Sequence, residues 1–217
     1  MDTFFRPIAP GRVHRWGGAA LIVARRPDLT HLPLSLSPAE RGVARALPAW
    51  RRSEWMAGRL LAKRLAGELV GAPAREVEVL PRDDGSPHLL VGGRPVPSVH
   101  LSISHTPGHV AAALAPGPVG VDLCETASAA TVRRVADHAF SPGELSLIGT
   151  ERADALAGAW ALKEAAVKAD RSGVFGGAPR RVPLLGLRPP LLGGPRRAMA
   201  WQAGDAVLAL VLTHPGA

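Results

Sequence analysis

The segment Trp160–Lys168 combines acidic and basic side chains at helical spacing. Trp160, Glu164 and Lys168 recur every four residues, so they share one face of a helix. Lys163 lies at the edge of that face. A carboxylate can bind a cation or accept a proton, and a lysine can contact phosphate oxygens or give up a proton. A solvated Glu–Lys pair without catalytic role is the simpler interpretation of this segment taken alone.

A second acidic position follows an apolar run that predicts a strand. Asp122 ends the sequence Gly-Val-Asp, and a carboxylate that leaves a strand end is a usual metal ligand. Mg²⁺ typically takes one or two carboxylates together with substrate phosphates and water. An aspartate that caps the following turn would give the same pattern. The segment by itself leaves both interpretations open.

A third polar segment, Ser102-Ile103-Ser104-His105, also ends a predicted strand. Ser104 and His105 could bind phosphate oxygens. Adjacent residues on a strand point to opposite faces, so we do not expect these two to pair as nucleophile and base. A structural histidine is the alternative.

Taken in order, the three segments resemble the signature of the Sfp-type 4'-phosphopantetheinyl transferases. Ser-x-Ser-His is followed by Gly-Val-Asp, and Trp-x-x-Lys-Glu-Ala-x-x-Lys comes after both. The helical segment 51–59 and the turn 84–87 are similar to earlier segments of that family. The resemblance therefore spans roughly residues 37 to 170, and ordered motifs in matching context are far more specific than one pattern.

The resemblance implies an α+β fold built as a monomeric pseudodimer. Each of two similar halves would carry a small antiparallel sheet and packed helices, with the active site in the cleft between them. We place the halves at residues 1–110 and 111–217. The implied activity is Mg²⁺-dependent transfer of 4'-phosphopantetheine from coenzyme A to a serine of an acyl or peptidyl carrier protein, with release of 3',5'-ADP.

The same resemblance implies roles for individual residues. Asp122 and Glu164 would hold Mg²⁺ against the coenzyme A pyrophosphate. Glu164 would accept the proton of the carrier serine, and Lys168 would offset or protonate the leaving group. Lys163 and Lys168 would contact phosphate oxygens, and Ser104 and His105 would bind the phosphates from the other half.

Two positions depart from the family pattern. Many relatives carry an acid two residues after the aspartate, where this chain has Cys124 followed by Glu125. A one-residue shift turns a strand side chain to the other face, so Glu125 becomes a metal ligand only if the strand bulges. Otherwise Asp122 and Glu164 serve with additional water. Several relatives carry lysine where this chain has Ser86, which leaves the 3'-phosphate to arginines of the region. The candidates are Arg41, Arg45, Arg52 and Arg59.

The pattern of apolar and turn residues predicts the elements that position these segments. Strands are predicted at 18–24, 76–80, 88–91, 99–104, 109–115, 119–124, 199–201 and 206–213. Helices are predicted to start at 37–40 and to cover 51–70, 129–138 and 152–169. The Gly- and Pro-rich segment 172–197 is predicted to be irregular. We find no sequence repeat and no long linker.

Composition favours a folded protein without a membrane helix. Hydrophobic residues make up 47% of the chain, and the apolar runs fall well short of the roughly 20 residues a membrane span needs. The N-terminus has no signal-peptide pattern, and a single cysteine fits a reducing compartment, so we expect a cytoplasmic protein.

The net charge of +8 predicts an anionic partner. We expect an acidic carrier protein. A nucleic-acid-binding module is one alternative, but the arginines are scattered and few aromatic residues are available to stack on bases. A family member that binds coenzyme A or a carrier domain without transfer is another, prompted by Cys124 and Ser86.

Overall fold

The computed structural model describes residues 3–149, 152–171 and 178–213. In these ranges the strands are β1 (Arg6–Pro7), β2 (Val13–Trp16), β3 (Ala19–Arg25), β4 (Val77–Pro81), β5 (Pro87–Val91), β6 (Arg94–Pro95), β7 (His100–His105), β8 (His109–Ala115), β9 (Val119–Glu125), β10 (Leu184–Leu187), β11 (Pro190–Leu192), β12 (Arg196–Ala203) and β13 (Ala206–Thr213). The α-helices are α1 (Pro38–Ala46), α2 (Ala49–Val70), α3 (Ala129–Arg134), α4 (Ala136–Ala139), α5 (Pro142–Ile148) and α6 (Ala153–Asp170). Small sheets mixed with helices confirm the predicted α+β class.

The chain divides into two compact units, which we describe separately. The N-terminal unit is Pro10–Pro116, and the C-terminal unit combines Met1–Ala9 with Gly117–Ala217. This division differs from the predicted halves in that the first nine residues belong to the C-terminal unit and all of β8 belongs to the N-terminal unit. None of the described helices has the length and apolar character needed to cross a membrane.

The N-terminal unit is built on an antiparallel sheet in the order β2-β3-β8-β7, with α2 packed against it. A smaller antiparallel sheet, β4-β5-β6, lies beside it in the same unit. A Cβ on Gly58 of α2 would lie 2.8 Å from Cγ2 of Ile103, so glycine allows the helix to approach β7 closely. The helix ends at Gly71, whose φ of +71° suits a left-handed C-cap.

The C-terminal unit is built on a sheet in the order β1-β12-β13-β9. The two-residue strand β1 pairs parallel to β12, and the other pairs are antiparallel. Helix α6 packs against β9 and β13, and small residues dominate its buried face. The hairpin β10-β11 completes the unit.

The two units share one order of elements. Each contains, in chain order, a strand, a capped helix, a long helix, a hairpin and two further strands. In each unit the last strand pairs with the strand that precedes the capped helix: β8 with β3, and β13 with β9. Both capped helices start with Ser-Pro-x-Glu, at Ser37 and at Ser141, and both complete a capping box. No sequence repeat had indicated this common order of elements.

Two predictions of secondary structure were wrong. The helix predicted over 129–138 is divided into α3 and α4, because Val135 leaves the helical conformation at φ −110° and ψ 10°. The segment 172–197, predicted to be irregular, contains β10, β11 and the start of β12. Its residues 172–177 lie outside the described ranges. Leucines at 184, 187 and 192 are buried in the core, and a two-stranded hairpin tolerates the neighbouring Pro and Gly at its edges.

Candidate active site

Gly120 brings α6 into unusually close contact with β9. A Cβ at this position would lie 1.8 Å from the carbonyl oxygen of Ala165 and 2.7 Å from the amide nitrogen of Ala169. No side chain fits in that space, so only glycine permits this approach. Residues two apart on a strand project from the same face, and therefore Asp122 also faces α6.

The carboxylate of Asp122 is buried and bound by a lysine of α6. Lys168 Nζ lies 2.6 Å from Asp122 Oδ1 and donates a second hydrogen bond to the carbonyl of Val121 at 3.1 Å. About a quarter of the Lys168 side chain, 27%, remains exposed. Lys168 is therefore held at the site while part of its side chain remains exposed.

Glu164 lies one helical turn before Lys168 and adds a second carboxylate to the same face. Burial raises the pKa of Glu164, and the negative charge of Asp122 raises it further, whereas Lys168 opposes that change. Because Lys168 binds Asp122, and Glu164 shares its helix face with Lys168, both carboxylates lie on the side of α6 that faces β9. Two adjacent carboxylates are a suitable acceptor for a divalent cation or a proton.

The number of protein ligands at this site is small, but it is sufficient for Mg²⁺. Among the described residues no group of three or more His, Cys, Asp or Glu side chains is placed to hold a metal. Asp122 and Glu164 are two carboxylates, and Mg²⁺ binds through one or two carboxylates when phosphates and water supply the rest. Burial raises the pKa of the Cys124 thiol to about 12, with Asp122 and Glu125 adding to the effect, so this sulfur stays protonated and is a poor ligand.

Glu125 does not join this carboxylate pair. Its strand pairs with β13 in unbroken register from Val119 to Glu125, so the bulge that would redirect Glu125 is absent from β9. Glu125 lies three positions after Asp122, an odd number of steps along the strand, so the two side chains leave opposite faces of it. The prediction of Glu125 as a metal ligand is corrected on this ground.

Lys163 is placed in the core rather than at the surface. Its side chain is 1% exposed, and Nζ lies 2.7 Å from Glu144 Oε1 and 2.6 Å from the carbonyl oxygen of Ala139. It also lies over the ring of Phe140, 4.9 Å from the centroid. A phosphate could reach this ammonium only by breaking a buried ion pair, so the predicted phosphate contact is corrected. One helical step from Glu164 is enough to turn the side chain inward.

Glu144, the ion-pair partner of Lys163, was not among the residues predicted from the sequence. Burial alone would raise its pKa, but hydrogen bonds from Lys163 and from the amides of Ser141 and Leu184 hold the pKa of Glu144 below its ordinary value. The signal was present in the sequence: Ser-Pro-x-Glu at 141–144 is the same capping pattern that predicted the start of α1.

In the N-terminal unit, Ser104 and His105 occupy opposite faces of β7, as expected for neighbours in a regular strand. Ser104 is buried, at 4% exposure, whereas about a third of the His105 side chain, 35%, is exposed. His105 Nδ1 lies 3.5 Å from Glu54 Oε2 on α2. His105 is thus the more accessible of the two predicted phosphate ligands.

The predicted phosphate-binding arginines divide into two groups. Arg52 donates to carbonyls at the end of α1, including that of Ala44 at 2.8 Å. Arg59 is buried, bonds to the carbonyl of Val79 and stacks on Trp55, and burial lowers its pKa to about 10. The guanidinium groups of Arg52 and Arg59 therefore make contacts within the fold.

By contrast, Arg41 and Arg45 are exposed on α1. Arg41 donates to the carbonyl of Leu36, and Arg45 donates to the carbonyl of Arg41 at 3.3 Å, so both bonds are local. These two remain the more accessible candidates for an anionic ligand.

A further cluster surrounds Arg26, which no sequence motif had indicated. Its guanidinium bonds to Ser53 Oγ at 3.0 Å and to the carbonyl of Pro107 at 3.0 Å, and lies 3.4 Å from Glu54. It borders a mostly apolar cavity of about 550 Å³ within the N-terminal unit. The other lining residues are Pro27, Leu29, Thr30, Leu32, Leu34, Ser53, Met56, Ala57, Leu60 and Pro107.

Comparison with known proteins finds a family match over the part of the chain that contains β9 and α6. Residues 118–205 match a family model described as the 4'-phosphopantetheinyl transferase superfamily. A comparison with curated proteins found no match. Among solved structures, the chain is similar to a holo-(acyl-carrier-protein) synthase from Bacillus anthracis str. Ames in complex with CoA (3',5'-ADP). The identity is 28% over 45% of this chain and 92% of that one, with a TM-score of 0.39. The matched segment includes Asp122, Glu164 and Lys168, so the predicted resemblance to the 4'-phosphopantetheinyl transferase superfamily is confirmed over residues 118–205.

Proposed function

We propose that this chain is an Sfp-type transferase that moves 4'-phosphopantetheine from coenzyme A to a serine of an acyl or peptidyl carrier protein. The reaction is Mg²⁺-dependent and releases 3',5'-ADP. The observation that carries the proposal is the ion pair between Asp122 of β9 and Lys168 of α6, on a helix face that also carries Glu164. This group lies within the segment that matches the superfamily model.

In the reaction, the serine oxygen forms a bond to the phosphorus next to the pantetheine, and the bond from that phosphorus to 3',5'-ADP breaks. Such a step depends mostly on positioning and on positive charge at the phosphate oxygens. When bound by Asp122 and Glu164, Mg²⁺ supplies part of that charge. Lys168 supplies a further positive charge from the same face.

The proton of the serine needs an acceptor, and Glu164 is the residue we assign to this role. A carboxylate whose pKa is raised, as burial raises that of Glu164, is a stronger base than an ordinary one. Lys168 offsets the negative charge that develops on 3',5'-ADP, or protonates it. Of the phosphate contacts predicted in the N-terminal unit, His105, Arg41 and Arg45 have the accessible side chains.

The carrier protein is proposed to be acidic and to bind the exposed arginines of α3. Arg133 and Arg134 line a shallow cavity of about 400 Å³ together with Ala129, Ala130 and Ala153. Small apolar residues beside two cations suit a helix that carries carboxylates around an apolar stripe. The net charge of +8 would attract such a partner from a distance.

The decisive experiment is a mass spectrum of a carrier protein incubated with the chain, coenzyme A and Mg²⁺. We expect one phosphopantetheine group per carrier with the unaltered chain, and at least a hundredfold slower modification with Asp122→Asn or Glu164→Gln. Glu68→Gln is the matched control, since Glu68 is exposed on α2 and pairs locally with Arg64. Full Mg²⁺-dependent activity in a folded Glu164→Gln variant would contradict the proposed site.

A further inference from the structure

The C-terminal unit contains a buried ion pair with an unusual number of backbone contacts. Lys163 Nζ lies 2.7 Å from Glu144 Oε1 and 2.6 Å from the carbonyl oxygen of Ala139. Glu144 accepts further hydrogen bonds from the amides of Ser141 and Leu184, each at 2.6 Å. Lys163 of α6 is thereby connected through Glu144 to the start of α5 and to Leu184, the first residue of β10.

The N-terminal unit contains a second pair of the same construction. Lys63 Nζ lies 2.6 Å from Glu40 Oε2 and 2.6 Å from the carbonyl oxygen of Ser35. Glu40 also accepts from the amide of Ser37 at 2.8 Å and from the amide of Val79 at 2.9 Å. In both units a lysine of the long helix is bound to the capping glutamate of the preceding helix, which in turn holds the amide of a strand residue.

The two pairs differ in the residue that comes directly after the lysine. Lys63 precedes Arg64, an exposed residue that pairs with Glu68 on the same helix. Lys163 precedes Glu164, which the proposed function assigns to metal binding and proton transfer. Successive helical residues project about 100° apart, so anchoring Lys163 in the core determines the direction in which Glu164 projects.

Two independent contacts therefore define the position of α6 over β9. The close approach at Gly120 sets the distance between helix and strand. The contacts of Lys163 set the rotation of the helix about its own axis. Net stability is a weak reason for such a pair, because apolar residues of similar volume often serve a fold as well as a buried ion pair.

We propose that Lys163 is a positioning residue, whose buried ion pair with Glu144 orients α6 so that Glu164 and Lys168 lie against Asp122. This inference rests on the proposed function, because it assumes that Asp122 and Glu164 bind a divalent cation. Lys163 itself touches neither metal nor substrate. Lys63 makes the corresponding ion pair in the other unit, but the residue that follows it, Arg64, is not a carboxylate.

The test compares Lys163→Met with Lys63→Met in the full chain. Each variant breaks one buried ion pair, so both should lower the melting temperature. Binding of Mn²⁺, measured by electron paramagnetic resonance without coenzyme A or carrier, should weaken by about 10- to 100-fold in Lys163→Met, the range found when groups that orient metal ligands are removed. In Lys63→Met the Mn²⁺ affinity should stay within about twofold of the unaltered chain. Equal affinity in all three proteins, or an equal loss in both variants, overturns the inference.

Two additional variants keep the result interpretable. If Lys163→Met does not fold, the double variant Lys163→Met/Glu144→Gln leaves no unpaired buried charge, and the introduced amide oxygen can still accept the backbone amide of Leu184. The double variant should fold and still bind Mn²⁺ weakly, and normal affinity there overturns the inference. Glu164→Gln separates the two proposals: if it binds Mn²⁺ normally, the metal site itself is wrong, whereas lost binding in Glu164→Gln with normal binding in Lys163→Met refutes only the positioning role.

Discussion

A conservative substitution of Lys168 can show whether this residue transfers a proton or only supplies positive charge. Its ammonium holds Asp122 at 2.6 Å, yet part of the side chain is exposed. Arginine would keep the positive charge but give up a proton far less readily. If Lys168 protonates 3',5'-ADP, Lys168→Arg should lose roughly 100-fold in kcat, because proton transfer contributes at least that much.

The measurement is a pH–rate profile of carrier modification for the unaltered chain, Lys168→Arg and Lys168→Met. We expect the profile of Lys168→Arg to differ in shape from that of the unaltered chain, and Lys168→Met to be the slowest of the three. Near-normal rates in Lys168→Arg with an unchanged profile would limit Lys168 to electrostatic contact with phosphate.

The sequence predicted the residues of this site better than their environments. The resemblance to a family identified Asp122, Glu164 and Lys168; the structure pairs Asp122 with Lys168 and places Glu164 one helical turn before Lys168. The resemblance could not reveal that Lys163 is buried. A lysine is almost never fully buried unless it is paired, so its burial can be predicted only if its partner is known. The partner of Lys163 is distant in the chain, and no local pattern connects the two.

Among the secondary-structure elements, the packing of α6 on β9 depends most on a single residue. Gly120→Ala would place a methyl group 1.8 Å from the carbonyl oxygen of Ala165, where backbone rather than a flexible side chain must move. We expect a loss of about 3 kcal/mol or more in the free energy of unfolding, at the upper end of what overpacking costs. Weaker Mn²⁺ binding should accompany it, since helix and strand must separate.

Gly117→Ala provides the matched control. Gly117 lies just before β9, and the nearest atom to a Cβ there is the carbonyl oxygen of Thr213 at 3.9 Å, an ordinary contact. Denaturant unfolding of both variants should show a large change only for Gly120→Ala. Comparable stability of the two variants would mean that α6 can move away from β9 at little cost.

Elements with strong periodic patterns were predicted well, and those held by tertiary contacts were not. The long helices α2 and α6 and the strands β8, β9 and β13 follow directly from apolar spacing. The hairpin β10-β11 was missed because prolines and glycines, which signal irregular structure, surround three buried leucines. Helix α5 was missed although Ser141 and Glu144 carry the same capping signal that predicted α1.

On the scale of the whole molecule, the excess of positive charge should govern encounter with the carrier. Exposed attractions fade as the Debye length falls from about 10 Å at 0.1 M salt to about 3 Å at 1 M. We therefore expect the KM for an acidic carrier to rise steeply with salt while kcat stays comparatively flat. Arg133→Glu together with Arg134→Glu should raise this KM at low salt by roughly tenfold or more.

The control for that prediction is Arg75→Glu, which changes the same kind of charge at an exposed residue before β4 in the N-terminal unit. It should alter the KM for the carrier far less than the changes on α3. A KM that does not respond to salt would argue against electrostatic recruitment. Tight, salt-sensitive binding to DNA without carrier modification would favour a different anionic partner.

The division into units was harder to predict from the sequence than the fold class. Alternating helices and short strands were sufficient for α+β. The first nine residues, however, belong with the C-terminal unit, where Arg6 and Pro7 pair with β12 almost two hundred positions later in the chain. A two-residue strand has no pattern of its own, so only its distant partner defines it.

The burial of two lysines also has a consequence for chemical labelling. The chain contains three lysines, and the side chains of Lys63 and Lys163 are only 3% and 1% exposed. Lys168 is thus the one side-chain amine that an acylating reagent can reach in the folded protein. Apart from the α-amino group, amine-reactive dyes, cross-linkers and coupling surfaces would attach at Lys168, beside the proposed active site, so a tag for binding studies should use another chemistry.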